Sequence, residues 1–188
     1  MNEQPDSSKE TRIPLIAIVG RPNVGKSAMF NRLTETRAAL VEDLPGTTRD
    51  RNYGEIEWRG QRLRVVDTGG LLGEDPEELG PLVRQAVERA IAEADALLFI
   101  IDAVDGPTAP DHEIAAMLRG APQPLLLVAN KSDVRRAADR LPELYGLGMG
   151  EPHAVSAIHG NGIADLLDEI LEVIQGTPVD DEEPDETI

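Results

Sequence analysis

The sequence has no cysteine among its 188 residues, so no disulfide can staple it. That absence fits a reducing compartment. Long apolar runs are missing too. The longest, residues 96–101 and 125–129, are far too short to span a bilayer, and the polar start has no signal core. A soluble, cytoplasmic chain with no membrane partner is the expectation. Basic residues are scarce: 18 Lys and Arg stand against 35 Asp and Glu, for a net charge of −17 and a pI near 4.5. Direct nucleic-acid binding, which leaves a basic footprint, is therefore disfavoured. A polyanionic ligand would have to be held by local geometry and a metal, because the global field repels it.

What is present is an alternation of strand and helix signals. At this length a chain buries roughly 70% of its unfolded surface in one ordinary domain. Residues 1–12 read as a disordered leader and 13–176 as the folded domain. Residues 177–188 read as an acidic tail or inter-domain linker, too polar to pack. Residues 15–19 read as a short apolar strand that ends in a glycine loop, and 96–101 and 124–129 as strands buried on both faces. Residues 55–58 and 62–66 alternate around Arg59-Gly60 as a hairpin, and 154–155 sit in a last short strand. Apolar residues at helical spacing mark 161–174 most clearly. They also mark the Leu79, Val83, Ala86, Ala90 stripe, 28–33, and more weakly 113–118 and 134–141. The expected fold is a three-layer α/β sandwich whose sheet of about six strands is mostly parallel, with one antiparallel edge strand.

Three segments carry chemistry. Gly20-Arg21-Pro22-Asn23-Val24-Gly25-Lys26-Ser27 follows a strand, opens a helix and fits the phosphate-loop pattern GxxxxGK[ST]. Its glycines let backbone N–H groups wrap phosphates. Lys26 supplies charge to the β- and γ-phosphates, and Ser27 offers a hydroxyl to Mg²⁺. Asn130-Lys131-Ser132-Asp133 follows the strand at 124–129. A carboxylate at Asp133 can accept from guanine N1–H and the 2-amino group, whereas adenine would leave it unpaired. Asp67-Thr68-Gly69-Gly70 ends the second hairpin strand. Asp67 can hold Mg²⁺ through water, and Gly70 can bring its N–H to the γ-phosphate. A further Mg²⁺ ligand is expected from the loop Leu44-Pro45-Gly46-Thr47-Thr48-Arg49-Asp50, and residues 69–73 read as a second flexible stretch. Loops released when the γ-phosphate leaves would make a switch. Arg49 and Arg51 read as solvated loop cations. The three histidines lack metal spacing, and Trp58 and Tyr53 read as packing residues.

These motifs resemble the TrmE–Era–EngA group of P-loop GTPases, and most closely the first G domain of the EngA/Der family of large-subunit ribosome assembly. Residues that extend the match are Arg51-Asn52-Tyr53-Gly54, Leu147-Gly148-Met149-Gly150-Glu151-Pro152 and Ser156-Ala157-Ile158-His159-Gly160. The resemblance covers about residues 13–176. It implies Thr48 as the second Mg²⁺ ligand and Asn23 beside a K⁺ in the potassium-dependent members. It also implies Ser156, Ala157 and Ile158 as the base loop, with Ala157 N–H on guanine O6. Family members carry two G domains and a KH-like domain joined by an acidic linker, so ribosome or rRNA contact is expected through domains outside this chain. The chain itself is expected to be a monomer. Leu71 stands where Ras-like proteins have a water-orienting glutamine, a hydrophobic position that is this group's norm. Slow GTP hydrolysis is the resulting expectation. A non-hydrolysing guanine-nucleotide-sensing module is the alternative, separated by phosphate release. An ATP-dependent kinase is a third, which Asp133 argues against.

Overall fold

The computed structural model describes residues 12–35, 53–71 and 79–176. The expected loop at 44–50, and with it Thr48, Arg49 and Arg51, lies outside them, as do residues 72–73 and the segment 177–188. Strand β1 (Leu15–Val19) leads into helix α1 (Lys26–Thr34), and a hairpin follows from β2 (Tyr53–Trp58) and β3 (Gln61–Asp67). A 3₁₀ turn (Thr68–Leu71) ends β3. Then come α2 (Leu79–Glu93), β4 (Ala96–Asp102), α3 (Ala109–Leu118), β5 (Leu125–Asn130), α4 (Arg135–Tyr145), β6 (His153–Ala154) and α5 (Ile163–Gln175). The six strands lie in the order β2-β3-β1-β4-β5-β6. Only the β2–β3 pair is antiparallel. The expected sheet is therefore the observed one.

Strand periodicity sorts the core into two layers. Ile16, Ile18, Leu98 and Ile100 face one side of the sheet, where they meet Met29 and Leu33 of α1 and Leu166, Leu167 and Ile170 of α5. Ala17, Val19, Leu97, Phe99 and Ile101 face the other side, against Val87 and Ala90 of α2, Ile114 and Leu118 of α3, and Leu144 of α4. All seven residues of β4 are buried, as a central parallel strand requires. The hairpin turn at Arg59-Gly60 has φ of 48° and 76°, the two left-handed residues that a two-residue turn between antiparallel strands demands.

Two helices run longer than their apolar spacing suggests. Helix α3 starts at Ala109 because Thr108 and Asp111 form a capping box with Pro110 in the first turn. That signal lies before the apolar stripe and outside the expected 113–118. Helix α4 continues to Tyr145 through Pro142, whereas the expected helix stops at 141. Leu144, fully buried, draws the last turn onto the core despite the lost N–H. Arg12, assigned to the leader, pairs with Asp95 at 2.8 Å.

Trp58 does more than pack. Its Nε1 donates to Asp168 Oδ1 of α5 at 2.8 Å, and Arg59 Nη2 donates to Asp168 Oδ2 at 2.9 Å. Hydrogen bonds from Arg59 and then Trp58 hold the Asp168 carboxyl at about 2, below its ordinary 3.8. A depressed carboxyl stabilises the fold above its unfolded value and loses that contribution as pH falls through its folded one. Asp168→Asn is thus expected to lower the melting temperature at neutral pH. The gap to the native sequence should close as pH falls from 3.8 towards about 2, and Trp58 emission, from the single tryptophan, reports the hairpin's release.

Candidate functional site

The ends of β1, β3, β4 and β5 bring the three motifs to one edge of the parallel sheet, where such folds hold ligands. Gly20 turns the chain out of β1 beneath β4; a Cβ there would stand 2.7 Å from the Ile100 carbonyl oxygen. Asn23 adopts φ 69° and Gly25 φ 100°. A Cβ on Gly25 would lie 2.2 Å from Asn130 Nδ2, so glycine is required twice over at this position. The loop closes on α1, whose first residue is Lys26. Backbone N–H groups at that helix start carry the partial positive charge that anions seek.

Lys26 is buried, 6% exposed, and its Nζ donates to the Arg21 carbonyl at 2.7 Å. Burial lowers its pKa to about 8, although Asp67 and Asp111 pull upward. An ammonium under-solvated in this way gains from an arriving phosphate. Ser27 Oγ donates to Asp67 Oδ2 at 3.1 Å, and Gly69 N–H donates to Asp67 Oδ1 at 2.8 Å. A serine hydroxyl and a buried carboxylate thus converge one residue from the lysine, a hard-oxygen pair that suits Mg²⁺. The Asp67-Thr68-Gly69-Gly70 segment packs closely: a Cβ on Gly69 would lie 2.7 Å from Lys26 Cε. Gly70, the expected γ-phosphate donor, sits in the 3₁₀ turn.

Asn130 joins the phosphate loop to the base loop. Its Nδ2 donates to the Val24 carbonyl at 2.9 Å, and its Oδ1 accepts from Ala157 N–H at 3.0 Å. The residue is 3% exposed. Lys131, at φ 64°, makes a second tie: Nζ donates to the Asn23 carbonyl at 3.1 Å and to Asp102 Oδ2 at 2.6 Å. Burial pushes the Asp102 carboxyl up, but Lys131 and the N–H groups of Asp105 and Val104 outweigh it, and the net shift is downward. Ser156 is buried, and its Oγ accepts from His159 N–H at 3.3 Å. Ile158 is 70% exposed. Asn130→Ala would leave the Val24 carbonyl and the Ala157 amide buried without partners. A loss of about 2–4 kcal/mol in stability is expected, read by denaturant unfolding.

Four contributors were not singled out as site residues in the sequence. Asp102 lies at the end of β4 and receives Lys131. Arg21 turns its guanidinium to Asp111 (Nε, 3.2 Å) and Asp105 (Nη2, 2.9 Å), and Asp111 is fully buried. His159 Nε2 lies 3.3 Å from Asp133 Oδ2, so the histidine does touch the carboxylate expected to read the base. Arg32 holds the base loop through the Ala157 and Ile158 carbonyls. Only the adjacency of His159 to the base loop was visible in the sequence; the other pairings cross 29 to 126 residues, and no spacing rule reaches that far.

Known proteins resemble this chain in sequence and fold. The family described as 50S ribosome-binding GTPase matches residues 15–131. A protein named GTPase Der from Gloeobacter violaceus is 53% identical over 164 residues, covering 87% of this chain and 36% of the relative. The chain thus spans little more than a third of that relative's length. Among solved structures, a point variant of Aquifex aeolicus Era bound to GDP·AlF4⁻ superposes with a TM-score of 0.65 at 28% identity, covering 95% of this chain and 62% of that one. Era in complex with MgGDPNP and nucleotides 1506–1542 of 16S ribosomal RNA gives 0.63 at 28% identity, over 94% and 61% of the two chains.

Proposed function

The chain belongs to the 50S ribosome-binding GTPase family, and from that premise we propose that it binds GTP and GDP and hydrolyses GTP slowly, as a switch in large-subunit assembly. The observation that carries the reading is the pair of ties from the NKxD segment to the phosphate loop, Asn130 to Val24 and Lys131 to Asn23. They tie the segment that carries Asp133 to the loop that carries Lys26, which supports one pocket with Asp133 reading the purine and Lys26 meeting the triphosphate.

In this reading Val24, Gly25, Lys26 and Ser27 wrap the phosphates, and Gly70 N–H meets the γ-phosphate. Asp133 reads N1–H and the 2-amino group. Ala157 N–H shares itself between Asn130 Oδ1 and guanine O6, and Ser156 and Ile158 shape that loop. Ser27, Asp67 and Thr48 would hold Mg²⁺, which when bound would offset the negative charge of the phosphates. The family's Era in complex with MgGDPNP supports that metal here. Asn23, an exposed residue of the loop, is the residue for K⁺. Lys26 stabilises charge that develops on the γ-phosphoryl oxygens as water attacks and GDP leaves. Leu71 supplies no hydrogen bond to orient that water, which keeps turnover slow.

The proposed working compartment is the cytoplasm; among the described residues no helix is long and apolar enough to cross a membrane. Ribosome or rRNA contact is proposed to run through parts of the relatives that this chain does not span, with the chain itself a monomer. Phosphate release from GTP in Mg²⁺ buffer, with Lys26→Ala as the blank, tests the reading. Release above the blank, faster in K⁺ than in Na⁺, is expected. No release above it would leave a nucleotide-sensing module, and equal rates in the two salts would remove K⁺ from the mechanism.

A further inference from the structure

Arg32 belongs to none of the nucleotide motifs. It lies in the last turn of α1, six residues and about 9 Å along the helix from Lys26. Its Nε donates to the Ala157 carbonyl at 2.8 Å, and its Nη2 donates to the Ile158 carbonyl. Nη1 lies 3.4 Å from Glu35. The side chain is 33% exposed, so these charge-assisted bonds are partly shielded from water.

Each carbonyl shares a planar trans peptide with the next residue's N–H, which points the opposite way. Fixing the Ala157 and Ile158 oxygens against α1 therefore fixes the directions of the Ile158 and His159 amides. His159 N–H closes the turn on Ser156 Oγ. Ile158 N–H is turned away from α1. A guanidinium on the carbonyl also polarises the peptide and strengthens its N–H as a donor. On the far side, Ala157 N–H is set by Asn130. The base loop is thus gripped from two elements, β5 through Asn130 and α1 through Arg32.

From this geometry we infer that Arg32 is a positioning residue for guanine recognition: it aims the base-loop amides at the purine O6 and couples that edge to the helix carrying Lys26. The inference rests on the proposed guanine site and adds a specificity element to it.

The test pairs GDP with 6-thioguanosine diphosphate, which keeps N1–H and the 2-amino group but carries sulfur, a much weaker hydrogen-bond acceptor, in place of O6. Arg32→Ala is expected to weaken GDP binding about tenfold while changing the O6-free analogue less than about twofold, so the ratio of the two affinities shrinks. Arg32→Lys, able to reach one carbonyl, should recover part of the ratio, and it serves if the alanine variant melts too low to titrate. Equal losses for the two ligands would make Arg32 a general scaffold and overturn the inference, as would no loss for either. A native chain that fails to prefer GDP over ADP would defeat the guanine reading itself, a separate outcome seen before any variant is made.

Discussion

Lys26→Ala is expected to weaken GDP and GTP binding by about a thousandfold, roughly 4 kcal/mol, measured by titration of a fluorescent guanine nucleotide. The size follows from burial. At 6% exposure the ammonium is held off water, with the Arg21 carbonyl as its hydrogen-bond acceptor. Charge interactions at such a position are stronger than in bulk solvent. The same burial predicts an opposite effect on stability. Its pKa falls from 10.5 to about 8 chiefly through desolvation, so holding this cation in the fold costs about 3 kcal/mol near neutral pH. The unfolded chain binds this proton more tightly, and the cost eases as pH rises from about 8 towards 10.5. In nucleotide-free, Mg²⁺-free buffer at pH 7, Lys26→Met should therefore melt no lower than the native chain, and by this reasoning higher. A variant that binds nothing yet resists heat better would mark the lysine as a functional residue held against the interests of the fold. If it melts several degrees lower, the desolvation account fails.

Asp133→Asn should invert the base preference. Guanine offers two donors to a carboxylate. An asparagine amide presents one acceptor and one donor, which leaves the 2-amino group facing an N–H. GDP affinity is expected to drop by about a hundredfold or more. Xanthine, with a carbonyl oxygen at position 2, matches the amide, and xanthosine diphosphate should overtake GDP. Competition between the two diphosphates measures the crossover. Loss of both without a gain for xanthine would mean that the carboxylate serves the loop through His159, 3.3 Å away, more than it serves the base.

The phosphate loop, the strand ends and α5 were legible because each is local. Eight consecutive residues specify the loop from Gly20 to Ser27, and Leu166, Leu167, Ile170 and Leu171 recur at helical spacing. Helix α3 was half legible: its apolar stripe shows, while its start depends on the Thr108–Asp111 cap. The turn geometry at Arg59-Gly60 was readable from the two residues and their alternating flanks. What sequence reading missed are side chains that act at a distance. Trp58 reads as packing because its indole N–H partner, Asp168, lies 110 residues on. The side-chain roles of Arg32 and Arg21 carry no local signal, because the carbonyls and carboxylates they meet come from elements brought near by the fold.

Arg21 has one more consequence. Two cations stand in the segment proposed to wrap the phosphates, yet the guanidinium is committed to Asp105 and to the fully buried Asp111. Only its backbone oxygen looks towards the site, and there it steadies Lys26. In the proposed site the loop would therefore meet a triphosphate with one side-chain ammonium of its own and its backbone amides, inside a chain of net charge −17. Such a pocket selects by shape and contact, and stray polyanions, drawn by charge alone, find little here to hold them.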